Sequence, residues 1–451
     1  MLDTAHPDEH PFVSRPHRTL VRLTLPVLIS LIAEPLTGLA DTAFIAHLGA
    51  APLAALGVGT VLLSSIFWVF NFLGIGTQTE VARATGSAKA EGAREAAGLA
   101  LALATAIGCG IALLGWPFLD AAARFMSNDI GVQRDAIVYL QIRLLAAPAV
   151  LVTVAAFGAL RGLQDMRTPL WIALGINALN LGLDPLLIFG AGPVPALGIA
   201  GAAWATLVAQ TIGAIAAFGA VRRRPGLPPR VHWRGARRLL SVGRDLFFRT
   251  GLLLSFILLS TRSATRIGVE AGAAHQVIRQ VWVFTALFLD AYAATAQSLV
   301  AYFLGAGRRA LARRTSGVAL AWSFATGTVL AAAMLLLEEP TARLLVPAPA
   351  RAVFGAAWLT AALAQPLNSV SFATDGILWG AHDYRYLRNA MFAATMLGIG
   401  ALFALDLSHA GALNHIWIVT GIWISVRGVF GVSRIWPGFG NSPLRARDSD
   451  S

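Results

Sequence analysis

The chain has 451 residues, of which 56% are hydrophobic and only 13% charged, about half the charged share of an ordinary soluble domain. That balance excludes a soluble enzyme, and the single cysteine, Cys109, excludes an internal disulfide and any cysteine-built metal cluster. The formal net charge of +12 points to a membrane surface rather than nucleic acid, because the basic residues sit mainly in short links between apolar runs.

The leader, residues 1–19, carries Asp3, Asp8 and Glu9, which argues against an organelle transit peptide. The apolar run that follows is too long for a cleaved signal. About twelve runs reach the ~20 residues that cross a bilayer. Their approximate limits are 20–47, 53–80, 95–119, 134–158, 168–190, 196–221, 239–266, 273–301, 313–337, 352–379, 387–407 and 412–435. Residues 222–238, RRRPGLPPRVHWRGARR, are too basic and proline-rich to span. The expected order is therefore a cytoplasmic segment 1–19, a first lobe 20–221, a basic cytoplasmic linker 222–238, a second lobe 239–435 and a cytoplasmic tail 436–451.

The loops give the orientation. One alternate set carries Arg15, Arg18 and Arg22, then Arg83, Lys89 and Arg94, Arg161 and Arg167, the linker cluster, Arg308 to Arg314, Arg385 and Arg388. The opposite set has no Lys or Arg in 48–52, 190–196 and 408–411. The positive-inside rule then puts both termini in the cytoplasm. An internal repeat agrees, since it needs an even number of spans per copy. Residues 78–102 realign without a gap on 297–321, pairing Gln78 with Gln297 and Gly86 with Gly305. Residues 145–167 realign on 363–385, pairing Pro148 with Pro366, Gly162 with Gly380 and Arg167 with Arg385. The registers are 219 and 218 residues. The expected fold is an all-α integral membrane protein of two pseudo-symmetric six-helix lobes, a plan used by secondary transporters.

Ionisable groups at membrane depth are costly and need a reason. In the first span Glu34 and Asp41 lie seven residues apart, almost on one helix face. Pro26 and Pro35 remove backbone hydrogen bonds there and can kink it. The fifth span carries Asn177, Asn180 and Asp184 on one stripe, followed by Pro185. Asp41 aligns with Ser260 and Asp184 with Leu402 in the second copy, so the carboxylates serve a task special to the first. Proton or cation coupling fits, because a carboxyl carried into a low-dielectric interior holds a proton more tightly than in water. In the second copy, Asp290 and Asp375 lie within apolar runs, with Arg249 and Arg427 as natural partners. A structural ion pair and a hold on a cationic drug both fit these four. Arg262, Arg266 and Glu270 are expected at the outer surface. Trp68 and Phe284, with neighbouring aromatics, are candidates for a pocket that takes flat apolar or cationic molecules. No GxxxxGK(S/T), HExxH or GxSxG motif supports enzyme chemistry or ATP as the energy source.

The segments LADTAFIAHLGAAPLAALGVG, NALNLGLDPLLIFG and GIAGAAWAT, with GRDLFFRTGLL, FLDAYA, DGILWGA and VRG in the second half, resemble the MATE family (multidrug and toxic compound extrusion), in its DinF branch. The resemblance covers roughly residues 15–435. It implies two six-helix lobes and drug efflux driven by H⁺ or Na⁺. It also implies a cation site built from Asp41, Asn180 and Asp184, with Thr206 as a fourth member. Glu34 departs from the apolar or small residue expected there.

The leading expectation is an antiporter of the cytoplasmic (inner) membrane, working as a monomer. It exports amphipathic or cationic compounds by alternating access and needs no cofactor beyond its coupling ion. H⁺ is favoured; if Na⁺ is used, Asp41, Asn180 and Asp184 ligate it. The alternative is a flippase for a lipid-linked precursor, which predicts a cationic cavity built from Arg249, Arg262 and Arg427.

Overall fold

The computed structural model describes residues 7–230, 233–409 and 411–445. The start of the N-terminal segment, two linker positions and the end of the tail lie outside that set. The described residues are almost entirely helical. In chain order the helices are α1 (Pro11–Ser14), α2 (Pro16–Ala46), α3 (Ala50–Val69), α4 (Phe72–Gly86), α5 (Ala90–Gly115), α6 (Leu119–Met126), α7 (Ile130–Leu144), α8 (Ala147–Gly162), α9 (Arg167–Phe189) and α10 (Ile199–Arg223). The second half holds α11 (Ala236–Ile267), α12 (Val269–Gly305), α13 (Arg309–Leu336), α14 (Glu338–Leu345), α15 (Arg351–Leu363), α16 (Gln365–Gly380), α17 (Tyr384–Ala404) and α18 (Ala412–Ile435).

Each of the twelve expected spans coincides with a helix or a broken helix pair. Nine of the described helical segments are long and apolar enough to cross a membrane by themselves. A tenth is the pair α7–α8, bent by 49°, where Pro148 follows the break. The other two are apolar runs diluted by polar residues. Helix α11 carries Arg237, Arg238, Arg244, Asp245, Arg249, Arg262 and Arg266. Helices α15 and α16 break at Ala364, and α16 turns Gln365, Asn368, Ser369, Ser371, Thr374 and Asp375 inward. Helix α2 runs unbroken through both Pro26 and Pro35.

The chain divides into two compact units, Leu25–Gly243 and Met1–Thr24 with Arg244–Ser451. In the first, α8 packs on α4, α5 and α10, α9 packs on α10, and α3 and α10 pack on α7. In the second, α16 packs on α12, α13 and α18, α17 packs on α18, and α15 packs on α18 and α12. The repeat therefore extends from sequence to helix pairing, and the glycines explain why. A methyl group on Gly158 would strike the backbone carbonyl of Gly74; on Gly376 it would strike that of Ala293. On Gly162 it would come within 2.8 Å of the Gln78 carbonyl, and on Gly380 within 2.6 Å of the Gln297 carbonyl. Two residues with positive φ also recur in register: Gln164 (φ 61°) and His382 (φ 60°), each just past the end of the equivalent helix.

Within the first unit the linker is tied down. Arg94 donates from Nε to the Pro225 carbonyl at 3.0 Å, and Arg238 pairs with Glu80 at 3.0 Å. Within the second unit the N-terminal segment is held by buried Phe12, packed on Phe303, and buried His10, whose ring meets Tyr302 and Phe303. Asp8 pairs with Arg308, His17 accepts from the Trp322 indole at 3.1 Å, and Thr24 donates to Thr295 at 3.1 Å.

Candidate functional site

The site grows from the packing of α9 against α10. Gly201 lets α10 approach so closely that a methyl there would strike the Leu187 carbonyl, and Gly213 accommodates the Ile176 side chain. Asn180 and Asp184 consequently lie buried, with Asn177 half-buried on the same stripe. The Asn180 amide donates to the Thr206 hydroxyl at 3.3 Å, and that hydroxyl donates to the Ala202 carbonyl at 3.0 Å. The end of α2 joins them through an aromatic contact. Phe44 and His47 meet the Phe189 ring edge-on, and Ile45 enters the core beside Ile188 and Ile199.

This seating brings Asp41 to Asp184, and the two carboxyl groups adjoin. Neither oxygen of Asp184 has a hydrogen-bond donor, nor has Oδ1 of Asp41. Buried acceptors left without donors are rare in folded proteins and call for an explanation such as a missing proton or ion. Glu34, one face with Asp41 but two turns away, is exposed on the surface of the unit. Both acids feel the positive charge of one residue, Arg143 of α7. The sequence reading passes over Arg143. The signal was present: an arginine inside the apolar run 134–158 is as costly there as the carboxylates. Its guanidinium lies 6.0 Å from the Tyr139 ring. Nε and Nη1 are buried and have no acceptor.

The second copy serves as an internal control. Glu34 aligns with Leu253, Asp41 with Ser260, Arg143 with Ala361, Asn180 with Gly398, Asp184 with Leu402 and Thr206 with Ile424. Most of these belong to, or pack against, one apolar core, where Phe256 stacks on Trp423 at 4.4 Å and fills the space beside Gly398. The polar cluster thus occurs in only one copy of a shared scaffold.

The second unit has a different centre. Asp375 accepts from Arg249 and, at 2.8 Å, from Arg427. Arg249 lies 5.2 Å from the Trp379 ring and Arg427 lies 4.7 Å from the Trp423 ring. Both arginines and the aspartate are buried, so Asp375 is engaged by the protein itself. Asp290 is half-buried on α12, and the acid that joins Arg249 to Arg427 is Asp375. It aligns with Asn71, where the first copy breaks between α3 and α4 while α12 runs on. Arg262 lies apart from Arg249 and Arg427. With Arg266, Asp406 and Ser408 it lines a cleft of about 460 Å³ at the C-terminal ends of α11 and α17. Trp68 and Phe284 are exposed on the surfaces of their respective units.

The MatE family profile matches residues 26–186 and 247–404, one stretch in each copy. Among curated relatives, DNA damage-inducible protein F of Escherichia coli is 31% identical over 443 residues, covering 94% of this chain and 93% of its own length. Protein DETOXIFICATION 44, chloroplastic, of Arabidopsis thaliana is 31% identical, covering 92% of this chain and 81% of its own length. Among solved structures, a crystal structure of MATE in the bent conformation superposes with a TM-score of 0.84 at 22% identity, covering 92% of this chain and 94% of that one. The profile's two matches, one per copy, and relatives followed almost end to end make this chain a member of the MatE family of multi-pass membrane transporters, close to its DinF proteins.

Proposed function

We propose that the chain is a cation-coupled antiporter that exports amphipathic or cationic organic compounds across the cytoplasmic membrane by alternating access, with both termini in the cytoplasm. The observation that carries this reading is the adjoining pair Asp41 and Asp184, donor-free and confined to one copy. Two such carboxyls are best satisfied by a proton or a small cation between them. Loading from outside and release to the cytoplasm, when the pair is hydrated, drives the opposite movement of substrate. H⁺ is the favoured ion. The Thr206 hydroxyl already accepts from Asn180 and donates to Ala202, so it is not held open as a Na⁺ ligand. The single chain suffices as the transporting unit, since the pair lies within one unit.

What supports export over lipid flipping is the fate of the arginines. Arg249 and Arg427 are committed to Asp375, and Arg262 lines a separate cleft. The deciding measurement is ethidium efflux from proteoliposomes under a pH gradient or a Na⁺ gradient, each imposed alone. Efflux should follow one gradient in the wild type and be lost in Asp41→Asn and Asp184→Asn. Unchanged efflux and ion dependence in Asp41→Asn would overturn the mechanism.

A further inference from the structure

Arg143 stands among acids without pairing to any of them. Its charge reaches Glu34 and Asp41. Even so, two of its three nitrogens are buried without an acceptor, while three carboxyl oxygens of Asp41 and Asp184 are buried without a donor. A guanidinium whose only purpose was to neutralise those acids would close on them, as Arg249 and Arg427 close on Asp375 in the other unit. The equivalent of Arg143 in the second copy is Ala361, fully buried in an apolar core, so the helix scaffold does not require a base at this position. The first unit therefore buries acceptor-free nitrogens on Arg143 and donor-free oxygens on Asp41 and Asp184, with Asp41 within reach of the Arg143 charge.

An unpaired guanidinium in a low-dielectric interior is unfavourable until an anion meets it. Its planar fork matches a carboxylate better than any other side chain does. A molecule that satisfies this site completely brings an anionic group to Arg143 and a cationic group to the acids. We propose that Arg143 is a specificity-determining residue that makes the site select zwitterionic compounds, carrying a carboxylate or similar anion, over simple organic cations. This rests on the reading of the Asp41–Asp184 region as the transport site, and it names the substrate class that site prefers.

The test is equilibrium binding to the detergent-purified full chain, read by fluorescence anisotropy, with two probes that differ in one charge. Rhodamine B carries a free carboxylate beside its cationic ring system; its ethyl ester lacks the carboxylate. The wild type should bind rhodamine B at least tenfold more tightly than the ester. Arg143→Gln should abolish that preference by weakening rhodamine B while leaving the ester within about twofold, and Arg143→Lys should restore part of it. Retained ester binding reports that the variants are folded. No preference in the wild type, or equal loss of both probes in Arg143→Gln with Arg143→Lys unchanged from the glutamine variant, would overturn the proposal. Because no ion gradient is present, this result is independent of the coupling mechanism, which the proteoliposome experiment tests alone.

Discussion

A buried polar atom without a partner costs more than a hydrogen bond gained elsewhere returns, so the donor-free oxygens of Asp184 mark a place held for something else. Thr206 is different, since its hydroxyl is satisfied on both sides by Asn180 and Ala202. Thr206→Val should therefore lose about 1 kcal/mol of local hydrogen bonding and shift the ion dependence of efflux less than tenfold, whereas Asp184→Asn should abolish coupling. If Thr206→Val is as damaging as Asp184→Asn in an ion titration of efflux, the hydroxyl is a ligand and Na⁺ is the ion. At this scale the sequence exposed the stripe Asn177–Asn180–Asp184 because its spacing places three polar groups on one helical side. It did not expose Arg143, whose meaning depends on α7 standing beside α2, a neighbourhood no local pattern encodes.

Helices in this chain are held together mainly by close approach and by charged junctions, among them the buried triad around Asp375. Gly376 and Gly158 face carbonyls of α12 and α4 at distances no Cβ tolerates. Gly376→Ala should lower the thermal unfolding temperature of the purified protein, at a cost of about 1–3 kcal/mol from overpacking. Gly182→Ala, where nothing lies within 4 Å, should leave it unchanged. The junction of α11, α16 and α18 should behave more severely. Asp375→Asn leaves Arg249 and Arg427 buried together without their anion, a loss of about 3–5 kcal/mol readable in the same melt; a full-length variant that melts like the wild type would refute the triad's structural role. The sequence supplied the three charges but left Asp290 and Asp375 as equal candidates. Only the packing of α16 against α11 and α18 distinguishes them. The breaks at Phe70, Leu145 and Ala364 were hidden for a related reason: each lies inside a continuous apolar run, and hydropathy averages over a change of direction.

The whole molecule is a duplication whose copies bury different polar groups, Asn180 and Asp184 in the first and the Arg249–Asp375–Arg427 triad in the second. Its length, span number and repeat were legible because bilayer thickness and an even count per copy leave few alternatives. The orientation proposed from loop charge has a direct check. In a Cys109→Ser background, a membrane-impermeant maleimide should fail to label Lys89→Cys on intact cells but label it in inverted vesicles. Asn128→Cys and Ser408→Cys should give the opposite pattern. A uniform reversal of both results would place the termini outside. The division into compact units was less legible. The linker at 222–238 reads as the obvious border, yet residues 7–24 pack with the second half of the chain, a consequence of where Phe12, His10 and Thr24 find partners rather than of their place in the sequence.

That allegiance bears on how the gene can be cut. Two open reading frames divided inside the linker would not yield the two compact units as separate products. The upstream product would carry away the strap that covers Tyr302 and Phe303, leaving the downstream product with an uncapped apolar patch and the unpaired cation Arg308. Expressed alone, the downstream half should aggregate. Supplied with residues 1–24 fused through a flexible tether, it should be recovered in monodisperse form, so the second compact unit is made by an internal deletion of the chain and not by a cut in the linker.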